Sequence, residues 1–330
     1  MAGNPLGVFI ATSTPPEQIG PNARLAEELG YGEVWVAEDY FAYGGFTASA
    51  AALAATDEVR VGLGIAAAVA RHPAVTAMEI ANLGRIFPGR FIPGIGHGVP
   101  VWTDQMGLTA TSPLSALREC VTSIRALLCG ETVSLEGKQF TFHDVTLAHP
   151  PTVIPDIVTG VLGPKSLQLS GRYADGTVMS VLAGTDYLES AVKDIRIGME
   201  KGSRSGGTHS VPTFALFSIG TDGAAAKEAV RAPLAAYLAA VGPHNPLSGA
   251  FGYNERLAEL LPLGVDELAR RMPSEWIDTL AVAGDPDQVS ARVSELLTAG
   301  ATCVVLSPVD PATAADSLTL TAKEVLPVFN

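Results

Sequence analysis

Short apolar and β-branched runs alternate along this chain with longer stretches whose apolar residues recur at helical spacing, which predicts strands alternating with helices. The clearest unit runs from Glu58 to Gly98. Val59 to Ile65 is an apolar run broken by Gly62 and Gly64, and glycine inside a strand marks a bend or the close approach of another group. From Pro73 onward, Ala74, Ala77, Met78 and Ala81 share one helical face, with Thr76 and Glu79 on the other side. Phe87-Pro88-Gly89 stops that helix, and Phe91 to Ile95 is the next strand, ending in Gly94-Ile95-Gly96-His97-Gly98.

The same alternation places further strands at Gly7 to Ala11, Glu33 to Ala37, Val153 to Val158, Gly176 to Val181, Val211 to Ile219 and Cys303 to Leu306. Helix starts are legible in Thr14-Pro15-Pro16-Glu17, in Ser112-Pro113 and in Asp285-Pro286-Asp287-Gln288, where a capping side chain is followed by proline. His72 reads as a structural residue at the start of its helix. Two stretches interrupt the pattern: a hairpin insertion over 131–150, alternating around Gly137, and an irregular insertion over 242–277 containing Pro243, Pro246 and Pro262, which reads as a lid. Eight strands alternating with helices, with no composition break to mark a linker, predict an α/β chain with a single domain over residues 1–330, a closed (β/α)8 TIM barrel with insertions. A doubly wound sheet is the rival, but no strand is followed by GxGxxG with an acidic residue about 20 positions on. A barrel puts its site at the C-terminal strand ends, here Ala11-Thr12-Ser13, Glu38-Asp39-Tyr40, Gly64-Ile65-Ala66, Gly96-His97-Gly98, Thr159-Gly160, Ser180-Val181 and Leu306-Ser307.

Composition narrows the partners. At 47% hydrophobic and 17% charged residues, the 330-residue chain has material for a large core and is not disordered. A net charge of −13 argues against nucleic acid and anionic membrane and for a small-molecule partner. No apolar run reaches the length of a membrane span and the first residues lack a basic region followed by an apolar one, so the chain is expected in the cytoplasm. Cys120, Cys129 and Cys303 lack CxxC spacing, and the histidines share no ligand spacing, so neither disulfides nor a metal are expected.

Five segments carry a resemblance: VWVAEDY (34–40), VGLGIAAAVARHPAVTA (61–77), GRFIPGIGHG (89–98), GPKSLQLSGRYADGTV (163–178) and VAGDPDQVSARVSELLTAGATCVVLSP (282–308). With these the chain resembles the bacterial luciferase-like flavin and deazaflavin oxidoreductases, in the branch similar to methylenetetrahydromethanopterin reductase. The resemblance implies a barrel, a homodimer, and coenzyme F420 or, alternatively, FMN at the C-terminal rim. It implies a bulge with a cis peptide at Gly64–Ile65 behind the coenzyme ring, with Ala66 beside it. It further implies phosphate contacts at Gly160, Gly163 and Lys165 and lesser contacts at Ser180 and Val181. Taken alone, a strand-end acid such as Asp39 reads equally as a loop cap and as a proton carrier, and the resemblance sets it by the reacting face. His97, exposed between two glycines, is a second candidate for proton handling. The sugar-phosphate dehydrogenases of the superfamily have histidine where this chain has Tyr40 and an acid where it has Val99, which argues against their substrate. The activity implied is hydride transfer between the deazaflavin C5 and an organic substrate. Alternatives are an FMN-dependent monooxygenase using reduced flavin and O2, and a non-catalytic flavin-binding protein. Trp102, Phe251, Tyr253 and Trp276 are left as candidate pocket walls.

Overall fold

The computed structural model describes residues 4–202 and 207–329. Eleven strands are formed in order: β1 (Leu6–Phe9), β2 (Glu33–Val36), β3 (Arg60–Ala67), β4 (Phe91–Gly96), β5 (Val133–Glu136), β6 (Thr141–Val145), β7 (Val158–Gly160), β8 (Gly176–Val178), β9 (Pro212–Ile219), β10 (Ala281–Gly284) and β11 (Cys303–Pro308). Nine of them make one curled, wholly parallel sheet in the order β10-β9-β11-β1-β2-β3-β4-β7-β8. Two single parallel bridges, Gly176 to Ser210 and Met179 to Thr213, also bring the chain around β8 onto the stretch leading into β9. Helices cover the outside, so the strands are buried on both faces, which is why β2 and β4 are buried at every position, β2 even at Glu33, whose carboxylate pairs with Arg60 and Trp35.

Helix boundaries follow local chemistry. His72 caps the helix Pro73–Ile86 by accepting from the Ala74 amide through Nδ1 (3.2 Å), while its Nε2 lies 3.1 Å from the Thr141 carbonyl. Asp222 accepts from the Ala224 and Ala225 amides at the start of Gly223–Val241, and Asp285 with Gln288 forms a complete capping box on Pro286–Thr298. Gly30, with φ of 88°, closes the turn after Ile19–Glu28, where a left-handed residue is required.

The structure departs from the sequence pattern in four places. The strand expected at Val153 to Val158 is formed instead by β7, because Val153 and Ile154 are exposed and only Ile157 and Val158 reach the core. β10 is an added strand that directly follows the helix Glu275–Leu280 and pairs on the upper half of β9. After Gly98 a short helix forms, Pro100–Gln105, that the strand and helix pattern did not mark. Residues 242–277, expected to be irregular, hold helices Pro246–Gly249, Asn254–Leu260, Val265–Arg271 and Glu275–Leu280. Pro246 opens the first of them and Pro262 sits in the 3-10 turn Leu261–Leu263, while Pro243 lies in the turn before them, and Leu247, Leu257, Leu260, Leu268, Trp276 and Ile277 anchor them to the core. Residues 131–150 carry the antiparallel pair β5 and β6.

Candidate active site

A cavity of about 490 Å³ opens at the C-terminal ends of the parallel strands. Asp39, Gly64, Ile65, His97, Gly160, Gly163, Ser180 and Val181 all line it, which brings together eight of the ten residues singled out from the sequence. Ala66 is buried beneath the lining, and Lys165 is exposed on the helix Pro164–Tyr173, outside it. A second cavity of about 260 Å³, between β1 and the helices Ile19–Glu28 and Ala314–Glu324, has no titratable side chain in its wall.

The floor is built by a bulge. β3 pairs Leu63 with Pro93 and then Ala66 with Ile95, so one extra residue of β3 is accommodated against β4. Pro93 has no amide hydrogen to give the ladder and is tolerated inside the sheet beside that irregularity. The Gly64–Ile65 peptide is cis, as is Tyr40–Phe41. Added Cβ atoms on Gly96 and Gly160 would lie 2.7 and 2.8 Å from Ile65 side-chain atoms, and one on Gly94 would meet the Leu63 carbonyl at 2.0 Å. The glycines at these strand ends therefore admit the Ile65 side chain and the bulged backbone. Gly62 similarly makes room for the Trp35 ring, 2.3 Å from where its Cβ would be. The close approach foreshadowed by the glycines is made by the protein's own residues.

Polar groups converge on the other wall. Thr12 donates a 2.8 Å hydrogen bond to Asp39 Oδ2. Burial pushes the Asp39 carboxyl above the ordinary aspartate value, partly offset by that hydrogen bond. Its neighbour Glu38 is buried and forked by Arg71, at 2.6 and 2.7 Å, and also accepts from the Tyr40 hydroxyl and the Gly45 amide, each at 2.9 Å. Burial alone would raise the Glu38 carboxyl, but these donors outweigh it and hold it below the ordinary value. The two adjacent acids are thus driven apart, one to stay ionised and one to keep a proton more readily. Tyr237, from the helix Gly223–Val241, lines the same cavity with its hydroxyl 3.2 Å from Ser180 Oγ, and burial together with the Asp39 charge raises its phenol. His97 Nε2 lies 3.0 Å from Ser166 Oγ, and burial lowers the imidazole, favouring its neutral form.

Of the four candidate aromatic walls, Trp102 alone lines the cavity, packed edge to face on Tyr40 with ring centres 6.2 Å apart. Phe251, Tyr253 and Trp276 stack on one another elsewhere, at 5.6 and 4.7 Å. Arg71 and Tyr237 were not legible as site residues, and Thr12 and Glu38 stood only among the strand ends without a role of their own. Of these, Glu38 left the clearest signal, since an acid following the apolar run Val34 to Ala37 needs a cationic partner somewhere.

A family model for luciferase-like monooxygenases matches residues 4–303. The chain is 30% identical over 319 residues to the 5,10-methylenetetrahydromethanopterin reductase of Methanolobus tindarius, covering 92% of this chain and 94% of that protein. It is 31% identical over 306 residues to the F420-dependent glucose-6-phosphate dehydrogenase of Kineococcus radiotolerans, covering 88% and 86%. The solved coenzyme F420-dependent tetrahydromethanopterin reductase from Methanopyrus kandleri superposes over the whole of both chains with a TM-score of 0.86 at 26% identity. Two of these relatives are named as F420-dependent oxidoreductases and the third as a methylenetetrahydromethanopterin reductase. With its curled parallel sheet, its bulged third strand and this span of similarity, the chain belongs to the luciferase-like monooxygenase family.

Proposed function

We propose that this protein is an oxidoreductase that uses coenzyme F420 to move a hydride to or from a small organic substrate, with Asp39 carrying the accompanying proton. The observation that carries this reading is the convergence of Asp39, the Gly64–Ile65 bulge and the Gly160–Gly163 turn on one cavity. The residues present fit the coenzyme: Ile65, Val181 and Phe214 offer an apolar bed for a flat ring system, and the amides at the start of the helix Pro164–Tyr173 suit a phosphate. When bound, the deazaflavin supplies hydride chemistry at its C5 carbon. The chain's own contribution is positional and protonic. Burial lets the Asp39 carboxyl keep a proton more readily than an ordinary aspartate, Thr12 fixes that carboxyl, and His97, with its pKa lowered by burial and its ring tied to Ser166, orients what lies beside Gly98. Identity to F420-dependent relatives over most of the chain supports the choice of coenzyme.

The same reading extends to architecture. The bridges from β8 to the start of β9 support closure of the sheet into an eight-stranded (β/α)8 barrel, and a single contiguous core supports one domain with insertions. Val75, Met78 and Ile86, exposed on the helix Pro73–Ile86, support a homodimer, and the free thiols of Cys120, Cys129 and Cys303 suit a reducing cytoplasm.

The test is titration of the purified protein with F420 and, separately, with FMN, following tryptophan fluorescence, to which Trp102 in the cavity wall contributes. Saturable binding of F420, with FMN binding weaker, supports the proposal. A preference for FMN overturns it in favour of an oxygen-using flavin monooxygenase.

A further inference from the structure

The substrate left open by that reading is constrained by the charges that face the cavity. Among the described lining residues none is lysine or arginine. Arg71, which pairs with the lining acid Glu38, has both terminal nitrogens committed to it and lies in the adjoining recess beside Tyr40. The ionisable side chains that do face the cavity are Glu38, Asp39, His97, Tyr40 and Tyr237, so its formal charge is negative or zero. One electropositive feature remains, the helix start at Gly163, and the proposed function assigns it to the coenzyme phosphate. A phosphate or carboxylate on the substrate would enter without a counter-ion, against the field of a chain carrying a net −13.

The remaining wall is aromatic and apolar. Tyr40 meets Trp102 edge to face where the segment after β2 approaches the helix Pro100–Gln105, and Val99 stands at that helix's N-cap. Such a surface binds flat, uncharged rings by burial and by offset or edge contacts.

Resting on the proposed function, we infer that the substrate is an uncharged carbonyl or imine compound with a flat, ring-bearing body, seated against Tyr40, Val99 and Trp102 with its reacting group toward Asp39. In the reducing direction the carbonyl carbon takes the hydride from the reduced deazaflavin and its oxygen takes the Asp39 proton, giving an alcohol. The second proton released as the deazaflavin is oxidised restores the Asp39 acid through solvent, so hydride and protons balance.

The experiment compares two ketones that differ by one charge, acetophenone and para-acetylbenzoate, by saturation-transfer NMR on the F420-saturated protein at neutral pH. Acetophenone is expected to bind at least about tenfold more tightly. Trp102→Ala should abolish its signal, and Val99→Arg, which sets a cation in the wall, should bring para-acetylbenzoate in. Equal binding of the two ketones, tighter binding of the carboxylate, or binding of neither overturns the inference. F420 binding is read independently by tryptophan fluorescence on the same samples. Its absence there marks failure of the coenzyme assignment, and its presence with the wrong ketone preference marks failure of the substrate class.

Discussion

The Thr12 hydroxyl donates a 2.8 Å hydrogen bond to the Asp39 carboxyl, joining the end of the first strand to the end of the second at the mouth of the cavity. Burial still dominates, and the carboxyl titrates above the ordinary aspartate value of 3.8. An acid kept half-desolvated in this way costs stability when it ionises and gains proton-donating reach.

Replacing Asp39 by Asn keeps an acceptor for Thr12 and removes the charge. Turnover is expected to fall by about a hundredfold to ten-thousandfold, with F420 binding retained. Because the folded pKa is raised, the wild-type stability advantage of the protonated form is complete below 3.8 and is lost as pH rises through the folded value. Asp39→Asn should therefore melt at a higher temperature than wild type near neutral pH, with the gap closing toward acid. Thermal melts from acid to neutral pH check this, and a constant gap would remove the titration from the explanation.

Arg71 serves the neighbouring acid. Arg71→Met leaves the buried Glu38 carboxylate without its fork, and a loss of about 2 to 4 kcal/mol is expected by urea denaturation, discounted because Arg71 is partly exposed. Glu38 titrates below its ordinary 4.5, so the contribution of the pair is present above that value and is lost as pH falls through the folded pKa. The difference between wild type and variant should shrink in acid.

The bulge offers a test of packing. In Gly160→Ala the new methyl meets Ile65 side-chain atoms at 2.8 and 3.2 Å, whereas in Gly94→Ala it meets the Leu63 carbonyl oxygen at 2.0 Å. Each single change is expected to cost about 1 to 3 kcal/mol or more. Adding Ile65→Ala should rescue the first and leave the second unrelieved, a difference that a double-mutant cycle measures. Rescue of both would show that backbone crowding at Gly94 is relieved in another way.

His97 supplies a pH signature of opposite kind. Burial lowers its pKa below 6.5, so between the two values the unfolded chain binds a proton that the folded chain refuses, and stability falls as pH drops through that window. His97→Gln, which retains a partner for Ser166, should match wild type well above 6.5 and surpass it in melting temperature below. Parallel melting curves across the range would contradict a desolvated histidine.

Much of the fold was written locally. Alternating runs marked seven of the parallel strands close to where they stand, and caps at His72, Asp222 and Asp285 set helix starts, because period and capping act within a few residues. What local pattern carried poorly was β10, which follows the helix Glu275–Leu280 without an intervening turn, and β7, which formed after exposed Val153 and Ile154 rather than on them. The strand ends also carried most of the cavity, since a parallel sheet gathers its C-terminal ends whatever the loops do.

By itself, then, the sequence determined the alternation of elements, the glycine-rich strand ends and the place of Asp39 and His97 at the rim. Only the tertiary structure decided what those features touch. Glu38 finds Arg71 across 33 residues and Ser180 finds Tyr237 across 57, pairings that no local period encodes. It also decided that Ile65 and Trp35 fill the space the glycines leave, and that Lys165 stays in solvent while Tyr237 enters the cavity wall. The physical reason is common to all of these: packing, desolvation and charge pairing depend on distance in space, which the closing of the sheet sets, and not on distance along the chain.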